Sequence, residues 1–111
     1  MQFQVKSLDG KGTVLSVSGE IGFSEVPELE RGLGQAMCSG GPVLVDLSGV
    51  SFIASDGLGA FIRAQTQAHQ RGVLLLLVHP QPQILGVLCK TQLTKFFRIY
   101  PSLEEAAADL G

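Results

Sequence analysis

Two short apolar runs constrain the fold more than any other feature of the sequence. They are Val43–Leu47 and Val73–Val78, and turn residues bound each of them. Such runs are typical of strands that are buried on both faces of a sheet. Between them, apolar residues recur with helical spacing from Leu58 to Ala68. Two buried strands joined by a helical crossover predict a parallel pair with helices packed on the sheet.

The segments around this pair predict a hairpin at the start and alternating helices and strands after it. Phe3 and Val5 alternate with polar residues before the turn at Asp9–Gly12, and the alternation resumes at Val14, which predicts two antiparallel strands. Ser24 is interpreted as the N-cap of a first helix. The other predicted elements are that helix through Met37, a loop at 48–53, a helix stopped by Gly72, a helix from about Gln81 to Lys90, a strand at Phe96–Tyr100 and a helix after Ser102.

The predicted class is therefore α/β, a mixed and mostly parallel sheet of four to five strands, preceded by a hairpin and packed against about four helices. The 111 residues suit a single domain over residues 1–111. A chain of this length buries roughly two-thirds of its unfolded surface, so its core needs neither a metal nor a disulfide. Leu58, Phe96 and Phe97 are predicted to lie in that core.

Composition argues against several partners. The chain has 8 basic and 10 acidic residues, so it lacks the basic excess of a nucleic-acid binder. The apolar run Val73–Val78 is far shorter than the roughly 20 residues of a membrane span, and no secretory signal begins the chain. We therefore expect a cytoplasmic protein without nucleic-acid binding and without direct membrane insertion.

Catalytic chemistry is not indicated either. Cys38 and Cys89 show no Cys-x-x-Cys spacing and are expected to be reduced, structural thiols. The sequence has no nucleophile elbow, Walker loop, metal-spaced pair or dinucleotide glycine motif. We expect a protein that is not an enzyme and that has no cofactor, no metal site and no catalytic residue.

Charge is unevenly distributed along the chain. Seven of the ten acidic residues precede Gly57, whereas the segment from Gly57 to Leu103 has five basic residues and no acidic one. This asymmetry is able to steer a charged partner, although a solvated helix face explains it as well.

The stretch from Asp46 to Ala60 carries the most information. It predicts a strand, a loop and the start of a helix, with Ser55 and Asp56 at the N-cap. Two glycines, Gly57 and Gly59, are expected to let another chain or an anion approach the unpaired amides of the first turn. Asp46, an acid within an apolar strand, is interpreted as structural and as holding the following loop.

These residues resemble a known family. The strand VLVDLSGVSFI, the helix start SDGLGA and the earlier strand end VSGEI are similar to those of the STAS domain, which is named for sulfate transporters and anti-sigma factor antagonists. The resemblance covers nearly the whole chain, because the order of predicted elements also agrees. It implies a STAS-like fold over 1–111.

The resemblance also implies a function. Free-standing bacterial STAS proteins act as anti-sigma factor antagonists: they bind an anti-sigma factor that is a serine kinase and ATPase, and so release a sigma factor for transcription. Phosphorylation at the N-terminus of the second helix breaks this binding. The implied partner-binding residues are Gly22, Phe23, Ser24, Ser55, Asp56, Gly57, Leu58 and Gly59.

The sequence departs from the family pattern at two positions. The family usually has a serine or threonine directly before the glycine of the helix start, where this chain has Asp56, and an acid where it has Gly22. A carboxylate cannot form a phosphate ester, which leaves the neighbouring Ser55 as a shifted acceptor. Three interpretations stay open: Asp56 mimics the phosphorylated state, it is neutral in a constitutive binder, or the domain is a STAS subunit of a lipid or anion transport complex.

Overall fold

A computed structural model describes residues 1–8 and 10–110. In that part of the chain, five strands and four α-helices follow the predicted order, with short 3₁₀ turns at Phe23–Glu25 and Leu93–Lys95. The elements are β1 (Gln2–Ser7), β2 (Thr13–Ile21), α1 (Val26–Met37), β3 (Val43–Ile53), α2 (Ser55–Gln70), β4 (Leu75–Val78), α3 (Pro82–Lys90), β5 (Arg98–Tyr100) and α4 (Leu103–Leu110). Asp9 of the predicted turn lies outside the described residues.

The strands form one mixed sheet in the order β1-β2-β3-β4-β5. β1 pairs with β2 antiparallel, because a tight turn joins them, and the hairpin is thus the edge of the sheet. The pairs β2–β3, β3–β4 and β4–β5 are parallel, as helical crossovers require. The predicted α/β class with a mostly parallel sheet is confirmed.

Helices cover the two faces of the sheet unequally. Side chains such as Leu15, Val45 and Leu77 share one buried cluster with α1, α2 and α3, whereas Leu44 and Leu76 on the opposite face pack with α4. Each fully buried leucine contributes roughly 1.5–3 kcal/mol relative to exposure. The central strands are apolar on both faces because both faces are covered.

The segment 48–53 is not the predicted loop, because β3 continues along β2 as far as Ile53. The pairing shifts register twice, between Ser16 and Ser18 and again between Gly19 and Glu20. Such bulges keep a strand paired while its pattern of apolar residues is interrupted. The polar residues within this stretch therefore do not end the strand.

The start of α1 also differs from the prediction. Ser24 lies inside the 3₁₀ turn, and Glu25 occupies the N-cap without a side-chain cap bond. The Glu25 carboxylate instead accepts a hydrogen bond from the Gly22 amide at 2.9 Å, which closes the turn. Pro27 lies in the first turn of α1, where its missing backbone N–H costs no intrahelical hydrogen bond.

Three side chains predicted to be structural or buried are more exposed than expected. Cys38 and Cys89 are free, as expected, but both are exposed, so neither thiol fills the core. Phe96 is 43% exposed, since β5 begins only at Arg98 and Phe96 ends the preceding turn. Phe97 is buried, as predicted.

Candidate functional site

The carboxyl ends of β2 and β3 meet the beginning of α2. Ile21 and Ile53 are paired in the sheet, and the Ala54 amide donates a hydrogen bond to the Ile21 carbonyl at 2.8 Å. Because these strands run parallel, the turn after β2 and the helix after β3 leave the sheet at the same edge. The fold therefore brings together the two separate segments of the predicted site.

The α2 helix begins one residue earlier than the predicted cap implies. Ala54, held extended by its bond to β2, is the N-cap, and Ser55 and Asp56 are the first two helical residues. Neither side chain caps the helix, and both are exposed. A carboxylate at Asp56 is favoured there by the positive end of the helix dipole.

Gly57 lies on the buried side of this turn. A β-carbon at Gly57 would come within 2.8 Å of the Ile21 Cγ2 atom and 3.0 Å of the Ile53 Cγ2 atom. The glycine lets α2 approach the strand ends, which is a packing role. We expected Gly57 to open the amides of the first turn to another chain, but in the structure it faces Ile21 and Ile53 instead.

The other predicted site residues divide into exposed and half-buried ones. Phe23 is 75% exposed on the turn after β2, next to the exposed Ser24. Leu58 is half-buried and packs against the core. Gly59 is half-buried, and a β-carbon there would lie 3.3 Å from the Arg63 guanidinium.

Phe52 is a second exposed aromatic residue at this end of the sheet, and sequence reasoning missed it. Its side chain is 50% exposed at the end of β3, and it pairs with the exposed Glu20 of β2. The signal was present in the sequence, since adjacent apolar residues of a strand point to opposite faces, and the buried neighbour Ile53 forces Phe52 outward. Treating the segment as a loop concealed it.

We call this patch the α2 N-terminal surface, and it is both aromatic and acidic. Its exposed or half-buried members are Gly22, Phe23, Ser24, Ser55, Asp56 and the neighbouring Glu20. Exposed aromatic side chains of this kind are enriched at protein interfaces. The arrangement offers contact area and a fixed negative charge to a partner.

Asp46 has a structural role, although the segment that it holds is part of β3 and not the predicted loop. Its Oδ1 atom accepts a hydrogen bond from the Ser48 amide at 3.0 Å, which fixes the backbone at the first bulge of β3. The carboxylate is half-buried and belongs to the sheet, away from the α2 N-terminal surface.

The described residues contain neither a metal-binding cluster nor a membrane-spanning helix. In residues 1–8 and 10–110, no three His, Cys, Asp or Glu side chains come together as a metal site would require. Within the same part of the chain, the helices are too short or too polar to cross a membrane.

A five-stranded mixed sheet with three helices on one face and one on the other defines the class of this fold. The family model of the STAS domain matches residues 2–106, and the chain belongs to that family. No curated protein sequence gives a significant match.

Solved structures share the fold over almost the whole chain. A candidate anti-sigma factor antagonist from Thermotoga maritima superposes with a TM-score of 0.87 at 23% identity, covering 97% of this chain and 93% of its own. An anti-sigma factor antagonist from Mycobacterium paratuberculosis superposes with a TM-score of 0.81 at 29% identity, covering 98% and 92%. The murine Solute Carrier 26 member A9 anion transporter matches with a TM-score of 0.74 at 16% identity, over 88% of this chain and 17% of its own.

Proposed function

We propose that this protein is a single-domain, partner-switching regulator of the anti-sigma factor antagonist type. It binds an anti-sigma factor of the serine-kinase/ATPase type in the bacterial cytoplasm and thereby controls sigma-factor-dependent transcription, without catalysis of its own. The observation that carries the proposal is the α2 N-terminal surface, where Phe23 on the turn after β2 and Asp56 at the start of α2 are both exposed. Family membership and the likeness to an antagonist from Mycobacterium paratuberculosis support it.

Asp56 gives this regulator a permanent negative charge at the position of the family's phospho-acceptor. A phosphate would add about −1.5 to −2 charges there, whereas the carboxylate supplies a single one. We propose that Asp56 acts as a partial phosphate mimic, which sets the affinity for the anti-sigma factor below that of a serine-bearing antagonist. The charge cannot be removed by a phosphatase, so the affinity does not switch at this residue.

The test compares the wild type with Asp56→Ser and Asp56→Asn in binding to the cognate anti-sigma factor, identified by pull-down from the native cell and mass spectrometry. Asn keeps the size of the side chain and removes its charge, so we expect both variants to bind roughly tenfold more tightly. Isothermal titration calorimetry measures the change. Equal affinity of all three proteins would contradict the mimic.

Phosphorylation of Ser55 is tested separately. The hydroxyl is exposed one residue before the usual acceptor position, and a displacement of about 1 Å already costs on the order of a hundredfold in a positioned reaction. Incubation with the kinase and ATP followed by phosphopeptide mapping is expected to show phosphate on Asp56→Ser and none on the wild type. Phosphate on Ser55 of the wild type would mean that the phosphorylation switch operates at this shifted position.

A STAS subunit of a lipid or anion transport complex is the second candidate. It rests on the fold shared with the murine anion transporter, in which the matching region is 17% of the chain. Recovery of a permease and a transport ATPase, without any kinase-like protein, in the same pull-down would favour it over the antagonist.

A further inference from the structure

A groove lies at the other end of α2 from Asp56. Two cavities of about 540 and 650 Å³ share walls that include Gln65, Leu74, Lys95 and Phe96, so together they form one continuous depression. We call it the α2–β5 groove. It runs from the carboxyl half of α2, past Phe96, and along β5.

The middle of this groove is held in place by contacts within the chain. The Phe96 ring packs edge-on against the buried Phe97, with 5.3 Å between ring centroids. The Gln65 amide donates a hydrogen bond to the Phe96 carbonyl at 3.1 Å, which ties α2 to the segment before β5. These two contacts hold Phe96 in place, although its side chain is 43% exposed.

The charged side chains that line the groove are basic. Among the described residues, Lys95, Arg98 and His69 line the two cavities and no Asp or Glu does. The Asp109 carboxylate lies beside the groove, where it accepts a hydrogen bond from the lining residue Tyr100. Within the described residues, the ion pairs involve Arg31 and Arg63, and none involves Lys95 or Arg98. An acidic group from outside the molecule would therefore meet cations that have no carboxylate partner of their own in the part of the chain that the structure describes.

The edge of the sheet adds a backbone component. Among the described residues, β5 is the last strand of the sheet and pairs with β4 alone, so its outer edge has no strand partner. No side-chain polar atom is buried without a partner in the described part of the chain. The groove thus combines an apolar floor, basic rims and a strand edge.

We infer that the α2–β5 groove binds an extended, acidic segment of a partner protein that carries an aromatic or aliphatic anchor. The anchor packs beside Phe96, the carboxylates face Lys95 and Arg98, and the backbone follows β5. Charge complementarity selects this occupant, because a basic segment would be repelled by the same rims. The site is separate from the acidic α2 N-terminal surface and goes beyond the proposed antagonist function.

The test uses the full chain, isotope-labelled for NMR, and a synthetic peptide of alternating glutamate and leucine with one central phenylalanine. A peptide with lysine in place of every glutamate is the control. We expect the acidic peptide to shift the amide signals of Gln65, His69 and Phe96 and to leave those of Phe23 and Asp56 unchanged. Added salt should weaken the binding.

Charge-reversal variants then test whether the basic residues at the rims of the groove bind the acidic peptide. Lys95→Glu and Arg98→Glu are each expected to weaken binding of the acidic peptide roughly tenfold. Lys90→Glu makes the same change in charge at an exposed residue outside the groove and should leave the affinity within twofold of the wild type. Unfolding by urea, followed by circular dichroism, confirms that each variant is folded.

Four results would overturn the inference: absence of shifts, equal binding of the lysine peptide, shifts confined to the α2 N-terminal surface, and equal loss of affinity in Lys90→Glu. Concentration-dependent shifts of groove residues in the chain alone would also overturn it, because they would make a second copy the occupant. None of these measurements includes an anti-sigma factor, so their failure is distinct from failure of the proposed function.

Discussion

Asp56 and Gly57 are neighbours in the chain, yet they face opposite environments. The Asp56 carboxylate is exposed at the start of α2, and Gly57 is buried against Ile21 and Ile53. Both belong to the same sequence stretch, but the first is available to a partner and the second sets how closely α2 approaches the sheet. A residue's place in a motif does not by itself reveal which of these roles it has.

Replacing Gly57 with alanine is expected to destabilise the protein by about 1–3 kcal/mol, because the new methyl group would overlap Ile21 and Ile53. The matched control is Gly34→Ala in α1, where no described atom outside the adjacent helix backbone lies within 4 Å of the added carbon. Gly34→Ala should stabilise the protein by about 0.5–1 kcal/mol, because it removes a glycine from the interior of a helix. Urea denaturation measures both, and stabilisation by Gly57→Ala would show that the close approach is absent.

Phe23 is expected to act as an anchor for the anti-sigma factor. Phe23→Ala should weaken binding about fivefold or more, as truncation of an interface aromatic does. Since Phe23 is 75% exposed, its removal should change the free energy of unfolding by no more than about 0.5 kcal/mol. Calorimetry with Phe96→Ala as the control distinguishes the two ends of α2: equal losses of affinity would argue against a localised surface.

At the scale of elements, α4 covers one face of the sheet alone. It packs beside Leu44 and Leu76 through the buried Ala106, and the Tyr100 hydroxyl at the end of β5 donates a hydrogen bond to Asp109. This bond raises the pKa of Tyr100 above its ordinary value, and desolvation and the Asp109 charge act in the same direction. Arg98 opposes them.

A pH titration of the tyrosinate absorbance reports directly on the Tyr100–Asp109 hydrogen bond, because Tyr100 is the single tyrosine and the chain has no tryptophan. We expect a pKa above 10 for the folded protein, a lower one for Asp109→Asn and no change for Glu104→Gln. Because the folded state holds this proton more tightly than the unfolded state, the stabilisation is complete below pH 10 and is lost as pH rises through the folded pKa. Identical titrations of wild type and Asp109→Asn would show that the bond is not formed.

For the whole molecule, the two surfaces lie at opposite ends of α2 and carry opposite charge. The α2 N-terminal surface has Glu20 and Asp56, and the α2–β5 groove has Lys95 and Arg98. Sites that are distant and share no partner contribute additively to binding and stability. The domain is thus able to hold two partners, or two segments of one partner, at once.

Independence of the surfaces is tested with a double variant. Lys95→Glu should leave the affinity for the anti-sigma factor unchanged, and Asp56→Ser should leave the affinity for the acidic peptide unchanged. In the double variant, the changes in binding free energy of the two single variants are expected to add within about 0.5 kcal/mol for each ligand. Calorimetry of all four proteins gives the coupling energy, and a larger value would mean that α2 transmits a change between its ends.

Hydrophobic periodicity alone determined the order of elements, the parallel core and the hairpin, because burial of apolar side chains dictates them locally. The motif around Asp56 also located part of the proposed docking site, the α2 N-terminal surface. Only the tertiary structure showed that β3 stays paired with β2 through two register shifts, left Phe96 exposed, and turned Gly57 inward. These features depend on which neighbouring chain covers each side chain, and contacts between residues distant in sequence decide that.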